Sequence, residues 1–350
     1  MKSLSICSVK ILLGKFIGMT LLFLTGVSYG QVSSLMTGAP GQINRYVGLG
    51  DGDSIAVSII KGMEQGPTFT VLAGIHGFEY PPILAVQRIL KTIDPWQLKG
   101  SLIIVPVASE ASFYGRSVFI HPKDGKNLNR VFPGKAQGSA TEKIAAFISR
   151  EIIPISDVFL DIHGGDAGED LLPFVCYYER KDAPAQVELA KRLTIAAGFE
   201  YNVIYPYALK AGQPSEYAFK EAVQQGKTAL SIEAGKLGST DSEDIEIIEK
   251  GIWNMLREMK MISGTVQKDV DQKWIYSPNY MKASNSGIFY STIKAGDQVS
   301  KGEYLGSITT VFGEVIQEIH SEYEGIVLYK IGSPPVNRGE TMFCIGKVIE

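Results

Sequence analysis

The chain lacks any run of basic residues. Its 350 residues include 34 lysines and arginines against 37 aspartates and glutamates, for a formal net charge of -3. Proteins that bind nucleic acid usually cluster lysine and arginine on one face. The composition therefore offers no case for nucleic acid or another polyanion as a partner. With 45% hydrophobic and 20% charged residues, it is typical of a globular protein long enough for two domains.

The N-terminal apolar run at residues 16–27 is too short for a membrane helix, which needs roughly 20 residues. Lysines precede the run and small residues follow it, which is the pattern of a secretory signal. We expect residues 1–30 to be a signal peptide cleaved before Gln31. The mature protein would then be exported, periplasmic or secreted, with no stable membrane insertion. An uncleaved anchor is the alternative.

Cysteine is scarce as well, because only Cys176 and Cys344 remain once residues 1–30 are removed. The two could form one disulfide in an oxidising compartment. Both lie in apolar, strand-like runs, however, where a free cysteine behaves as a small core hydrophobe. We expect two buried thiols, neither of which the site below requires.

Histidine is equally rare, yet two of the 4 histidines occupy informative positions. His76 and Glu79 lie in the glycine loop after a predicted strand at residues 68–72, and His163 follows another at residues 158–162. Ligands in open α/β sheets bind outside the carboxyl ends of the strands. Two imidazoles and one carboxylate are the ligand set of a catalytic zinc site whose fourth position is open to water. The alternative is a pair of ordinary loop histidines and a solvated carboxylate.

Two further polar segments follow predicted strands or turns. Glu233 ends the strand at residues 228–232 and is a candidate general base, although a carboxylate at a strand end is otherwise simply solvated. Arg130 can grip a carboxylate through two parallel N–H bonds, and Asn129 can add a donor. These two residues therefore indicate a substrate anchor, and the alternative is a surface turn held by Asp124-Gly125.

Short apolar runs alternate with amphipathic helices across residues 54–260, which predicts an α/β domain over residues 31–264. Strands are predicted at residues 55–60, 68–72, 102–107, 158–162, 172–178 and 228–232. Helices are predicted after a capping box formed by Ser139 and Glu142, and along the apolar positions from Ile245 to Met259. From residue 273 onward, glycines punctuate short strands. This pattern predicts a separate small barrel or sandwich over residues 265–350, with the boundary within residues 263–273.

Four motifs occur in the order seen in the succinylglutamate desuccinylase and aspartoacylase family, whose members are relatives of the zinc carboxypeptidases. The motifs are His76-Gly77-Phe78-Glu79, Asn127-Leu128-Asn129-Arg130, Asp161-Ile162-His163-Gly164 and Glu233-Ala234-Gly235. The chain resembles this family over residues 54–260, and its tail resembles the C-terminal domain of many bacterial members. The resemblance implies a mixed-sheet, three-layer α/β/α zinc-peptidase-like domain followed by a small all-β barrel-sandwich-like domain.

The resemblance also assigns the metal site. It implies one Zn²⁺ per chain, bound by His76, Glu79 and His163. Asp161 would accept a hydrogen bond from a ligand histidine and thereby fix its tautomer.

The remaining roles follow from the same resemblance. Glu233 would be the general base and acid, and Asn129 with Arg130 would hold a substrate carboxylate. Family members use an arginine upstream of the Asn-Arg pair to polarise the scissile carbonyl. Arg116 is the only arginine between the helix of the first motif and Arg130, so this role would fall to it.

Together these residues imply an exported zinc-dependent amide hydrolase acting on an N-acyl amino acid or a small peptide that bears a carboxylate. Export argues against the cytosolic roles of the best-known relatives. One alternative is a carboxypeptidase-like enzyme acting on peptides or cell-wall fragments. Another is a zinc-dependent binding protein without turnover, with the tail as its interaction module.

Overall fold

The computed structural model describes residues 31–209, 212–267 and 270–349, and the predicted signal peptide lies outside the described residues. The strands are β1 Gly41–Gly50, β2 Asp53–Lys61, β3 Glu64–Ala73, β4 Lys99–Val105, β5 Val158–His163, β6 Glu169–Leu171, β7 Phe174–Glu179, β8 Tyr201–Pro206, β9 Thr228–Glu233, β10 Lys273–Tyr276, β11 Asn279–Lys282, β12 Gly287–Tyr290, β13 Gln298–Val299, β14 Tyr304–Thr309, β15 Val315–His320, β16 Gly325–Ile331, β17 Pro335–Val336, β18 Thr341–Gly346 and β19 Val348–Ile349. The α-helices are α1 Gln31–Leu35, α2 Tyr80–Thr92, α3 Glu110–Tyr114, α4 Ala140–Phe147, α5 Pro184–Ala197, α6 Ala218–Gln224 and α7 Ser242–Glu258.

Ten strands form one mixed sheet in the order β1-β2-β4-β3-β5-β9-β7-β8-β10-β19. The central strands β4, β3, β5 and β9 are parallel, whereas β7 runs antiparallel to β9. All six residues of β5 are buried. Helices α2, α5 and α7 pack on one face of the sheet, and α4 and α6 pack on the other. Strands covered on both faces are mostly apolar, which explains why the central strands were recognisable as nearly continuous apolar runs. The three-layer α/β/α prediction is confirmed.

The predicted helix starts are also found. Glu142 accepts the backbone N–H of Ser139 at 3.0 Å in a capping box at the start of α4. Of the stripe predicted from Ile245 to Met259, helix α7 buries the positions up to Met255 and ends one residue before Met259. The first N–H groups of a helix have no partner within it, and the capping box supplies acceptors for two of them. This fixes where α4 begins.

The C-terminal residues form two small antiparallel sheets around their own apolar core, as expected for an all-β segment. Strands nevertheless pair across residues 263–273, where the domain boundary was predicted. Strands β10 and β19 extend the large sheet, and β6 pairs with β16 of the C-terminal sheet. The division at residues 264 and 265 therefore stays a prediction.

Cys176 and Cys344 are both free and buried, as the sequence predicts. Within the described ranges, no helix combines the length and the apolar character needed to cross a membrane.

Candidate metal centre

The candidate site lies where three neighbouring parallel strands end. Strand β3 ends at Ala73, which is in register with Ile162 of β5. The last residue of β5, His163, is in register with Glu233, the last residue of β9. Because these carboxyl ends meet at one edge of the sheet, the loops that follow them are brought together.

The loop after β3 packs closely against the segment that carries Arg116. A Cβ on Gly77 would lie 2.3 Å from the carbonyl oxygen of Ser112 and 2.4 Å from that of Ser117. Only glycine fits this backbone-to-backbone contact. The exposed Arg116, which has a φ of +49°, is thereby held beside the loop that carries His76.

The predicted ligands form one cluster. Nδ1 of His76 lies 2.5 Å from Oε1 of Glu79, and Nδ1 of His163 lies 2.9 Å from Oε2 of the same carboxylate. One ligand atom from each residue lies within 4.8 Å of the others. Glu79 and His163 are buried, and His76 is half-buried. Two imidazole nitrogens and a carboxylate oxygen at this spacing suit a divalent ion of intermediate softness such as zinc.

Asn127 orients His76, a contact that the sequence interpretation missed. Its side-chain oxygen lies 3.1 Å from Nε2 of His76 and also accepts the backbone N–H of Asn129 at 2.8 Å. An amide oxygen only accepts, so the neutral ring of His76 carries its proton on Nε2 and turns the lone pair of Nδ1 toward Glu79. The position of Asn127 within the Asn-Leu-Asn-Arg motif was the available signal.

His163 contacts two predicted residues through Nε2. Oδ2 of Asp161 lies 3.2 Å away and Nδ2 of Asn129 lies 3.3 Å away. Asp161 has no exposed surface, and neither of its oxygens meets hydrogen-bond geometry with any described residue. The Asp161 contact is therefore an electrostatic one. The tautomer-fixing hydrogen bond implied for Asp161 stays a prediction.

The charges within the cluster stabilise one another. Burial would raise the pKa of Glu79, but the two neighbouring imidazoles outweigh it and hold the pKa at about 2. Burial would lower the pKa of His163, but Asp161 and Glu79 outweigh it and raise the pKa well above its usual value. At His76, burial would lower the pKa, but the carboxylate of Glu79 outweighs it, so the pKa is raised. A buried carboxylate that stabilises positive charge on two imidazoles also suits a bound cation.

Glu233 stands beside the cluster with a strongly perturbed carboxyl group. Burial is the largest cause and raises its pKa to about 8. The positive charge of His163 opposes this shift, whereas the carboxylates of Glu79, Glu169 and Asp161 add to it. A carboxyl group with a pKa near neutrality can both accept and release a proton at physiological pH.

The predicted substrate anchor lies on a short 3₁₀ turn at Leu128–Arg130. The side-chain oxygen of Asn129 accepts the N–H of Ala218 at 3.0 Å, which leaves its amino group facing the site. The guanidinium of Arg130 lies 4.7 Å from the ring centroid of Tyr217, and the arginine is exposed. Stacking on Tyr217 orients the plane of the guanidinium without occupying all of its donors.

Two further carboxylates follow His163 and were not predicted. Asp166 is only 6% exposed, and burial raises its pKa. Burial and the neighbouring Asp166 and Glu79 raise the pKa of Glu169 to about 7. The signal in the sequence was the pair of acidic residues directly after the His-Gly-Gly segment. Their proximity to Glu79 shows that the site is rich in negative charge.

The domain has three layers, with helices on both faces of a mixed sheet, and two histidines and a glutamate lie at the carboxyl edge of that sheet. This arrangement defines the class of zinc-peptidase-like α/β/α folds. Residues 65–259 match the succinylglutamate desuccinylase/aspartoacylase catalytic domain. The chain belongs to this family, which comprises amide-bond deacylases.

Similar proteins agree with this assignment. The N-alpha-acetyl-L-2,4-diaminobutyric acid deacetylase of Halomonas elongata is 33% identical over 305 residues, which cover 85% of this chain and 86% of that protein. The product-bound ectoine utilization protein EutE (DoeB) of Ruegeria pomeroyi matches with a TM-score of 0.75 and 26% identity, covering 84% of this chain and 89% of that one. A succinylglutamate desuccinylase/aspartoacylase structure from Rhodobacter sphaeroides matches in fold, with a TM-score of 0.79 and 24% identity over 89% of this chain and 97% of that one.

Proposed function

We propose that the protein is a zinc-dependent amide hydrolase that removes the acyl group from an N-acyl amino acid. The observation that carries this proposal is the pairing of His163 with Glu233 on adjacent strands, which brings a carboxyl group with a pKa near neutrality to the edge of the ligand cluster. A protein that only bound its ligand would have no use for such a group.

His76, Glu79 and His163 would hold the metal. When bound, zinc would supply Lewis-acid polarisation of the amide carbonyl and an acidified water. Glu233 takes the proton from the attacking water and passes it to the departing amine nitrogen, so the carboxyl group returns to its starting state after each turnover.

The other residues bind and orient the substrate. Arg130 grips the substrate carboxylate with its stacked guanidinium, and the amino group of Asn129 adds a directional donor. Arg116 stabilises the negative charge that develops on the carbonyl oxygen. Asn127 keeps Nδ1 of His76 available as a ligand atom.

The substrate class follows from the relative in Halomonas elongata, whose name gives an N-acetylated diamino acid as its substrate. We infer a substrate with a free carboxylate and, on its side chain, a positively charged amine. The carboxylates of the buried Asp166 and the half-buried Glu169 support this inference, because an ammonium group would offset their mutual repulsion.

We also propose that the protein is exported. The support is the lysine-flanked apolar run at residues 16–27, which ends before small residues. N-terminal sequencing of the protein recovered from the producing cells tests this proposal, and a mature chain that begins at Gln31 is the expected result.

The direct test is hydrolysis of a panel of N-acyl amino acids and short peptides by the mature, zinc-loaded protein. We expect release of acyl groups from N-acetyl amino acids and loss of turnover in His76→Ala. Glu233→Gln should retain one zinc per chain, and its kcat should fall about 10²- to 10⁴-fold. Cleavage of peptides alone would favour the carboxypeptidase-like alternative. Zinc and ligand binding without turnover would favour a binding protein.

A further inference from the structure

Two loops of the candidate site and the first turn of α2 meet at Gly235. Its carbonyl oxygen accepts the backbone N–H of Gly165 at 2.7 Å. Its α-carbon faces Pro81, and a Cβ placed on Gly235 would lie 2.6 Å from Cγ of that proline ring. The φ of Gly235 is +104°, which side chains of the L series rarely adopt. Both the space and the backbone conformation require glycine in this contact of Pro81, Gly165 and Gly235, here called the glycine junction.

Each member of the glycine junction lies two positions after a candidate functional residue. Pro81 follows Glu79 by two residues, and Gly165 follows His163 by two. Gly235 follows Glu233 by two residues as well. A displacement at the junction therefore reaches two metal ligands and the candidate base through very short segments of chain.

The sheet alone does not fix all three of these residues. Hydrogen bonds of the parallel ladder hold His163 opposite Glu233. Glu79 lies outside this ladder, because β3 ends at Ala73 and α2 begins only at Tyr80. The contact of Gly77 with Ser112 and Ser117 constrains one side of this loop, and the glycine junction adds a constraint relative to Glu233 by packing the first turn of α2 against the loop that follows β9.

We propose that Gly235 is a positioning residue that sets the separation between the carboxyl group of Glu233 and the ligand Glu79. The proposal rests on the proposed function, in which Glu233 moves a proton at the metal site. A base must lie within hydrogen-bond reach of the proton it takes. A misplacement of about 1 Å can cost about 10²-fold in rate. Because the proline ring is rigid, a methyl group on Gly235 must push the end of β9 away from α2.

The test compares Gly235→Ala with Gly226→Ala in the zinc-loaded protein. Gly226 also has a positive φ, +79°, and it lies in the turn before β9, but a Cβ there would meet no atom within 4 Å. The control thus carries the backbone strain without the collision. We expect Gly235→Ala to bind one zinc per chain and to lose about tenfold or more in kcat, with KM changed by less than about threefold. Gly226→Ala should keep kcat close to that of the wild type.

A second substitution makes the test specific for the collision. Pro81→Ala in the Gly235→Ala background removes Cγ and Cδ of the ring, which lie 2.6 and 3.1 Å from the new methyl carbon, and leaves only Cβ, at 3.3 Å. We expect the double variant to recover a large part of the lost kcat, an interaction that independent sites do not show. Equal kcat values in Gly235→Ala and Gly226→Ala, or a double variant no faster than Gly235→Ala, would overturn the proposal.

A readout without turnover separates this inference from the proposed function. The visible spectrum of the cobalt-loaded protein can be titrated with pH in the wild type and in the same variants. We expect the midpoint to move in Gly235→Ala and to return toward the wild type in the double variant. Identical midpoints in all proteins would contradict the positioning role. If the wild type cuts no amide but the midpoints move as expected, the proposed function fails and the role of Gly235 stands.

Discussion

Asn127 holds His76 in the orientation that a metal ligand needs. The side-chain oxygen of Asn127 lies 3.1 Å from Nε2 of His76, and its bond to the backbone N–H of Asn129 identifies the atom facing the ring as the oxygen. The neutral ring therefore presents the lone pair of Nδ1 to the side on which Glu79 lies. The second motif thus contacts the candidate metal site through Asn127 and also supplies Asn129 and Arg130, the proposed substrate anchor.

The variant Asn127→Ala is expected to bind zinc about 10- to 100-fold more weakly than the wild type, because the ring of His76 loses the acceptor that fixes its tautomer. Competition with a chelator of known affinity measures the effect. Asn127→Asp retains an acceptor oxygen and should remain closer to the wild type. Equal zinc affinity in Asn127→Ala and the wild type would show that the contact does not orient the ligand.

The variant Arg130→Lys is expected to raise KM by about tenfold, because lysine keeps the charge but loses the planar fork and the stacking on Tyr217. The matched experiment replaces the carboxylate of the substrate with a carboxamide. If Arg130 grips that carboxylate, the two changes together should cost much less than the sum of their separate effects. Fully additive effects would place the substrate carboxylate elsewhere.

The central sheet and the clustering of His76, Glu79 and His163 were predictable because their signals are local. Strands β5 and β9 are buried on both faces, so they read as continuous apolar runs that each end in a functional residue. Strand β1 was not predicted, since it lies at the edge of the sheet and exposes alternate residues. Strand β8 was also missed, although it is mostly buried. The available signal was Gly198, which caps the C-terminal end of α5 with a φ of +77° and separates that helix from β8.

The parts of the site that could not be predicted depend on contacts between distant segments. Asn127 and His76 are 51 residues apart. No local pattern reveals that one accepts a hydrogen bond from the other. The pairing of β6 with the C-terminal sheet and of β10 with the large sheet also joins distant segments. Each of these strands has only three or four residues, so its local pattern is weak. The family motifs predicted which residues form the site, and the structure shows how those residues are packed.

Zinc is expected to stabilise the protein more at pH 8 than at pH 6. The pKa values of His76 and His163 are raised, so their protonation stabilises the metal-free fold below the ordinary histidine pKa, and this stability is lost as the pH rises through the raised values. The pKa of Glu233, raised from 4.5 to about 8, acts in the same direction, because its ionisation in the folded state is unfavourable. Metal binding requires unprotonated imidazoles and opposes this trend.

Thermal unfolding with and without zinc at pH 6, 7 and 8 measures this pH dependence. The increase in Tm caused by zinc should grow across the series, while the Tm of the metal-free protein should fall. His76→Ala should show little response to zinc at any of these pH values. A zinc-induced shift that stays constant from pH 6 to pH 8 would contradict the assignment of the histidines as ligands.

Glu169→Gln is expected to change substrate preference rather than the chemical step. Glu169 lies beside Asp166 in a site already crowded with negative charge, and burial with these neighbours raises its pKa to about 7. A side-chain ammonium of the substrate would favour the ionised form and gain a charge-assisted hydrogen bond, which typically contributes about 1.5–3 kcal/mol. Removing the charge should therefore raise KM for N-α-acetyl-2,4-diaminobutyrate by about tenfold or more, with kcat nearly unchanged.

The matched comparison for Glu169 uses N-acetyl-2-aminobutyrate, which lacks the amine, and the variant Asp170→Asn. The carboxylate of Glu169 accepts the backbone N–H of Asp166 at 3.2 Å, and that of Asp170 accepts the backbone N–H of Ala295 at 3.0 Å, so Asp170 serves as a neighbouring carboxylate that also has a backbone partner. Glu169→Gln should leave KM for the neutral substrate unchanged or lower it, and Asp170→Asn should not separate the two substrates. An equal rise in KM for both substrates in Glu169→Gln would mean that the carboxylate maintains the loop and does not recognise an amine.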